Sequence, residues 1–339
     1  MNFAIQGRLF GVSVTSGVYW PRAGSVLIAA LIWSVTAAQF SHAQDYPSRM
    51  VRIVTAAPGG GSDFIARIIS QGLAGPLGQQ IIVENKGTGV QAGEAAVKAP
   101  GDGYTLTVQG GAFWVGPLLR KSAYDPVRDF TPITLVVREV NVLAVHPSVP
   151  VNSVKELIAY AKSNPGKLNY SSPGVGSTTH LASELLKSMA GIDIVHVPYQ
   201  GNQPAITGLR GNEVQMAIFD AGLIMPHANA GRLRALAATS LEPSPLAPGL
   251  PTVASSGLSG YESIGLTGVL ATGNKVPRSI ITRLNQEIVR HVSRPENREL
   301  FLKSGIEMVG SSPEEFAEAM RSDIAKMGKL IKDIGLKVE

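Results

Sequence analysis

MVRIVTAAPGGGSDFIARII, residues 50–69, is the stretch on which the fold turns. Val51, Ile53 and Val54 make a short β-rich run, and Phe64, Ile65, Ile68 and Ile69 recur at the spacing of one helix face. Between them stand Gly59, Gly60 and Gly61. A strand that passes through glycines into a helix is the opening of a strand–helix–strand unit, and repeated units of that kind build sheets covered by helices. The first-turn N–H groups of such a helix have no partner inside it. Glycine lets an anion approach that backbone. A phosphate, a carboxylate, or a plain capped turn with nothing bound all fit these residues.

Outward from this stretch the alternation continues. Strands are expected at 81–84, 105–109, 140–145, 168–170, 194–197, 214–219 and 233–239. Helices are expected at 63–73, 91–98, from Ser153 onward, and at 178–189, 203–210 and 222–230. Ser153 with Glu156, and Ser312 with Glu315, have capping-box spacing. Residues 240–263 are rich in Pro, Ser and Gly and read as an irregular connection. A strand at 265–272 and helices at 277–293, 295–304 and 313–332 follow. Those last helices need a sheet to cover, and the sheet formed by 45–139 lacks enough helices of its own. This predicts an α/β protein of two lobes, with two mixed or parallel sheets flanked by helices. Lobe 1 comprises 44–142 plus 266–339, and lobe 2 comprises 143–265. Two chain crossings act as hinges, and the ligand cleft lies between the lobes.

The chain has 339 residues, 44% hydrophobic and 16% charged, so it has the means to form a core. Its net charge of +5 comes with no basic stripe interleaved with aromatics, so no nucleic-acid partner is expected. The N-terminal 43 residues differ from the rest. They carry Arg8 and Arg22, an uncharged apolar run at 24–38, and Ser41-His42-Ala43 before Gln44. This is the pattern of a signal peptide cleaved near Ala43, giving an exported, periplasmic protein with a charge of about +3. There is no cysteine, which removes disulfides, thiolate metal sites and a lipid-modified N-terminal cysteine.

Catalytic patterns fail one by one. No His-Glu-x-x-His, Walker sequence or Gly-x-Ser-x-Gly elbow occurs. Ser177, His180 and Asp220 do not form a triad on paper, because Ser177 and His180 share a helix turn. GTGVQA (87–92) fits Gly-x-Gly-x-x-Ala, yet the next strand ends in Gln109 where a ribose-binding acid is required. No catalytic residue, metal or cofactor is therefore expected. Two glycine bends remain. In PGGGSD (58–63), Ser62 or Asp63 is expected to cap the helix. SSPGVGSTTH (171–180) repeats the device with Ser177 and Thr178 at a helix start. The two helix ends could clamp one carboxylated molecule. Tyr199 and Asp220 leave strand ends in the same lobe as the second bend, and Trp114 reads as cleft wall.

The order of PGGGSD, VEN (83–85), PGDGYTL (100–106), YDPVRDFTPIT (124–134), GKLNYSSPGVGSTTHLASELL (166–186), VHVPYQG (195–201), MPHANAGRLRALAATS (225–240) and VGSSPEEFAE (309–318) resembles the tripartite tricarboxylate transporter substrate-binding receptors, the Bug family. The resemblance spans nearly the whole chain after residue 45. It implies a two-lobed periplasmic binding protein fold of the type II-like, two-crossing kind. It implies capture of a small carboxylate and delivery to the membrane permease of a tripartite tricarboxylate-type transporter, by a receptor expected to be a monomer. Carried over by position, it places ligand contacts on Gly60, Gly61, Ser62 and Asp63, and on Ser172, Ser177, Thr178 and His180. Tyr199, Gly201 and Asp220 fall near the opening. Ala57, the short 85–97 segment and the aromatics of GGAFWVGPLL (110–119) depart from the family pattern and favour an aromatic or otherwise bulky acid. A ligand sensor for a signalling partner and, less favoured, an enzyme acting on a carboxylated substrate are the alternatives.

Overall fold

The computed structural model describes residues 46–336. The expected signal peptide and its cleavage site lie outside them.

β1 (Val51–Thr55) lies between β2 (Ile81–Asn85) and β3 (Thr105–Gly110) and is parallel to both. The links between them are α1 (Gly61–Leu77) and α2 (Gly89–Ala96). Thr105 to Gln109 of β3 are all buried, as a strand covered on both faces must be. α1 runs beyond its expected end at residue 73. Gly72 and Gly75-Pro76 look like a terminus, but Gly72 is where this helix meets α8 (Arg278–Val292). A Cβ there would stand 2.0 Å from the His291 ring. The helix stops instead at Gly78, whose φ of 63° suits the left-handed cap.

The sheets are mixed because of two strands. β4 (Phe130–Val145) spans 16 residues, and its first part, Phe130 to Val140, pairs antiparallel with β9 (Ile264–Thr272). Its last part, Asn141 to Val145, pairs antiparallel with β7 (Met216–Asp220) and β8 (Arg234–Ala238). β9 also runs antiparallel to β3. β5 (Asn169–Ser172) is parallel to β6 (Val195–Pro198) and to β7. The order is β2-β1-β3-β9-β4-β7-β5-β6, with β8 and the short β10 (Glu307–Met308) also on β4. The remaining helices are α4 (Val154–Ser163), α5 (Thr178–Ala190), α6 (Asn202–Arg210), α7 (Ala221–Asn229), α9 (Pro295–Lys303) and α10 (Pro313–Asp333).

Besides the two-residue β10, two elements were not expected from the sequence. The first half of β4 contains Pro132, which argues against a strand. The pairing with β9 shifts register between Pro132 and Thr134, and this irregularity accommodates the missing N–H. The other is α3 (Gly111–Leu119), which holds Gly111, Gly116 and Pro117 and has poor helix propensity. Tertiary packing holds it. Phe113 stacks on Tyr124 at 4.8 Å and meets Phe130 edge-on at 4.9 Å, both distances between ring centroids. Gly116 admits Val90, whose Cγ2 would be 2.4 Å from a Cβ at that position.

Where β4 passes from one set of partners to the other, a buried polar knot forms. The Asn141 N–H donates to Thr239 Oγ1 at 3.2 Å, and Asn141 Nδ2 donates to the Ser263 carbonyl at 3.2 Å. Thr239 Oγ1 lies 2.7 Å from that same carbonyl. The residue that follows β8 and the residue that precedes β9 are thus tied to the middle of β4.

Candidate functional site

Four helix N-termini open onto one cavity. It has a larger chamber of ≈ 400 Å³ and a smaller one of ≈ 210 Å³. The chambers share Gly89 of α2, Gly111 and Ala112 of α3, Thr178 of α5, and Gly265 and Leu266 of β9. Gly61 and Ser62 of α1 line the smaller chamber. The approach is close: a Cβ at Gly111 would lie 3.6 Å from Thr178 Cγ2, and one at Gly110 would lie 4.0 Å from Ser62 Oγ.

The four helix starts are not equivalent. α2 begins at Thr88, which forms a capping box with Gln91. α5 begins at Ser177, whose Oγ accepts the His180 N–H at 3.2 Å. α1 and α3 begin at Gly60 and Gly110, and neither has a side-chain cap. The cap expected from Ser62 or Asp63 is therefore absent. Ser62 and Asp63 lie inside the first turn, and the Asp63 carboxylate reaches back to the Gly59 N–H instead of to a first-turn donor. The open N–H groups of α1 and α3 give the small chamber the positive ends of two helix dipoles.

Asp63 organises the first bend from behind. Its side chain is buried and accepts from the Gly59 N–H at 2.9 Å, Arg67 Nε at 3.1 Å and Asn85 Nδ2 at 2.9 Å. Burial raises its pKa, but these hydrogen bonds and the Arg67 charge outweigh burial and hold the carboxyl below its usual range. These three donors hold the carboxylate as a brace of the loop, and it lines neither chamber.

The second bend is braced by aromatic stacking. His180 Nδ1 accepts the Gly176 N–H at 3.1 Å. The His180 and His196 rings stack at 4.1 Å, and Tyr170 stacks on His196 at 4.9 Å. Ser172 Oγ is 2.7 Å from His196 Nε2 and accepts the Gly174 N–H at 3.2 Å. Burial lowers both histidine pKa values, and His196, which also feels His180 and Lys187, falls to about 4. His180 and Ser172 thus shape the loop, while Ser177 and Thr178 line the cavity.

Other expected contacts stand elsewhere. Trp114 was read as cleft wall, but it is fully buried and does not line either chamber; its Nε1 donates to Asp323 Oδ2 at 2.8 Å. Val115 and Gly116 of the same helix reach the large chamber instead. The Tyr199 hydroxyl donates to Glu213 Oε2 at 3.0 Å, and its ring covers Gly208. Gly201, with φ of 114°, starts α6. Gly60 and Asp220 start α1 and α7. Burial raises the Asp220 pKa.

Two residues of the small chamber had no signal in the sequence. Glu139 sits on β4 opposite Gly265 of β9, and a Cβ at Gly265 would meet its Oε2 at 2.6 Å. Its Oε1 approaches Gly61, with 3.5 Å to a Cβ there. Burial, with Asp220 nearby, pushes the Glu139 pKa up to about 7. Gln109, at the end of β3, donates through Nε2 to Thr107 Oγ1 at 2.8 Å, while its buried Oε1 has no partner. The large chamber is mostly apolar, walled by Val90, Val115, Leu119, Leu181 and Met327, with Arg120 and Asp323 also in its lining. Among the described residues no group of acids and histidines is disposed to hold a metal ion.

The chain belongs to the tripartite tricarboxylate transporter family receptors, whose profile matches residues 65–336. This is a family of binding proteins and not of enzymes. A UPF0065 protein from the tcbD-tcbE intergenic region of Pseudomonas sp. (strain P51) is 34% identical over 312 residues, covering 91% of this chain and 93% of that one. Protein BugT of Bordetella pertussis is 30% identical over 303 residues, covering 88% and 93%. Among solved structures, an R. palustris protein with adipate superposes with a TM-score of 0.71 at 33% identity, covering 86% of this chain and 99% of that one. MatC from Rhodopseudomonas palustris, with bound malate, gives a TM-score of 0.68 at 27% identity, covering 84% and 100%. The fold is that of the α/β periplasmic binding proteins.

Proposed function

We propose that this protein is an exported solute receptor that captures one organic acid in the two-chambered cavity and presents it to a tripartite tricarboxylate-type permease. The observation that carries the reading is the pair of uncapped helix starts at Gly61 and Gly111, opening into a chamber that Thr178 also lines. An anion there takes N–H donors that the protein does not use itself. The carboxylates bound by the adipate- and malate-containing relatives support an acid as the ligand class. The apolar large chamber supports an acid with a bulky body over a small dicarboxylate.

In this reading the sheet strands paired with Phe130–Val140 and those paired with Asn141–Val145 belong to two lobes. The polar knot of Asn141, Thr239 and Ser263 is the hinge. Gly61 and Gly111 sit on one lobe and Ser177 and Thr178 on the other, so a ligand that touches both biases the lobes toward closure. The permease then reads the closed form. The test is a thermal-shift and calorimetric screen of carboxylates, joined to mass spectrometry of small molecules released from the denatured protein. A saturable acid ligand that leaves unchanged is expected. Failure of every carboxylate to bind, or recovery of a converted product, would overturn the reading.

A further inference from the structure

The small chamber offers more than anion donors. Gln109 is only 1% exposed, yet its Oε1 has no hydrogen-bond partner. Its Nε2 is fixed by Thr107 Oγ1 at 2.8 Å and the Val54 carbonyl at 3.5 Å, which leaves the oxygen on the chamber side, near Gly89. A buried acceptor left unpaired is destabilising, because it has lost its hydrogen bond to water without a replacement. Beside it on the chamber wall, Glu139 makes no hydrogen bond and no ion pair among the described residues, and Asp220 is the nearby charge. A site built for a bare carboxylate has no use for two unpaired acceptors. An ionised Glu139 would repel a ligand carboxylate at this range, whereas an ammonium in its place would hold Glu139 ionised and pair with it.

Both difficulties vanish if the ligand brings its own donor. We propose that the small chamber selects acids carrying a hydrogen-bond donor on the carbon next to the carboxylate, an ammonium or a hydroxyl, which Glu139 and Gln109 Oε1 accept. This rests on the receptor reading above and narrows its ligand class. The carboxylate lies at the open N–H groups of α1 and α3. The neighbouring donor points to β3 and β4, where Gln109 and Glu139 stand. The rest of the molecule extends into the apolar chamber between Val90, Val115 and Leu181. Glu139 and Asp220 together favour the cationic donor, so the ammonium is the stronger of the two. The ligand is then an apolar-bodied amino acid or hydroxy acid, not a dicarboxylate.

The test uses ligand-stripped, refolded full-length mature protein and matched sets of acids that share a body and differ at one carbon. One set is phenylalanine, 3-phenyllactate and 3-phenylpropionate; a second has a butyl body. Binding is read by calorimetry beside the carboxylate screen described above. Expected is an affinity at least tenfold higher for the amino acid than for the donor-free acid, with the hydroxy acid between. Glu139→Gln should cost the amino acid at least tenfold and, by removing the repulsion of its carboxylate, leave the donor-free acid bound at least as tightly as before. Gln109→Leu should lower the affinity for both donor-bearing acids. If a donor-free acid binds as tightly as its partners, if the preferred carboxylate of the screen or the molecule released from the native protein lacks such a donor, or if Glu139→Gln leaves the ranking unchanged, this proposal falls while the receptor reading stands. If no carboxylate binds, both fall.

Discussion

The two glycine bends, PGGGSD at 58–63 and SPGVGS at 172–177, look alike as text and differ as structures. The first leaves its helix start open and pins its loop with a buried carboxylate, Asp63. The second closes its helix start with Ser177 and pins its loop with stacked imidazoles. Each has a suppressed charge close by, Glu139 at the first and His196 at the second, and the charges are of opposite sign. The same turn grammar thus yields one end that offers backbone donors and one that offers hydroxyls. Burial decides which ionisable group each can keep neutral.

The comparison breaks most severely at Gly61. Its φ lies outside the left-handed region, and a Cβ there would make ordinary contact at 3.5 Å with Glu139. Gly61→Val should keep the fold, with the apo melting temperature within about 2 °C, and fill the small chamber. Ligand affinity should fall by about 100-fold or more, equivalent to about 2.7 kcal/mol, as read by calorimetry. Normal binding by this variant would make the first bend a structural turn only.

Glu139 gives the next largest effect, and it depends on pH. Its pKa is raised in the fold to about 7 from 4.5. Its contribution to stability is complete below pH 4.5 and is lost as pH rises through about 7. Asp220 is the charged group that faces it. Glu139→Gln should therefore raise unfolding stability at pH 8, by at most about 3 kcal/mol, with little change at pH 4. Urea titrations at the two pH values decide the matter, and equal effects at both would refute it.

At the second bend the sign reverses. The His196 pKa is lowered to about 4 from 6.5. The stability it contributes is present above pH 6.5 and disappears as pH falls through about 4. His196→Gln should flatten that acid limb by about 1–2 kcal/mol, allowing for the partial exposure of the ring. An unchanged acid limb in the same titrations would show that the stack does not titrate with the fold.

The braces themselves separate more finely. Asp63→Ala strips an acceptor from three donors and should cost about 2 kcal/mol and weaken ligand binding. Ser177→Ala removes one cap and should cost only about 1 kcal/mol. Equal losses in denaturant melts would mean that the two bends are braced alike.

Sequence reading reached the α/β class, the family, the helix starts at Ser153, Ser177 and Ser312, and both glycine bends. These are local signals: apolar period, glycine, and hydroxyl or carboxylate at fixed spacing. It missed α3, because Gly110, Gly111, Gly116 and Pro117 disfavour a helix that only Phe113 and Trp114 packing can hold. It missed the first half of β4, because Pro132 masks a strand that β9 pairs around. It set Trp114 in the cleft wall because an aromatic after a strand end carries no mark of which way it faces.

What the chain determined by itself is therefore the set of bends and the elements that flank them, since each depends on residues only a few positions apart. What only the tertiary structure decided is which helix ends stay open, and that Gln109 and Glu139 share a chamber with them. Glu139 reaches that chamber because its register partner on β9 is Gly265, more than a hundred residues away. No pattern within either strand encodes that pairing, because register between distant strands is set by packing and not by local propensity.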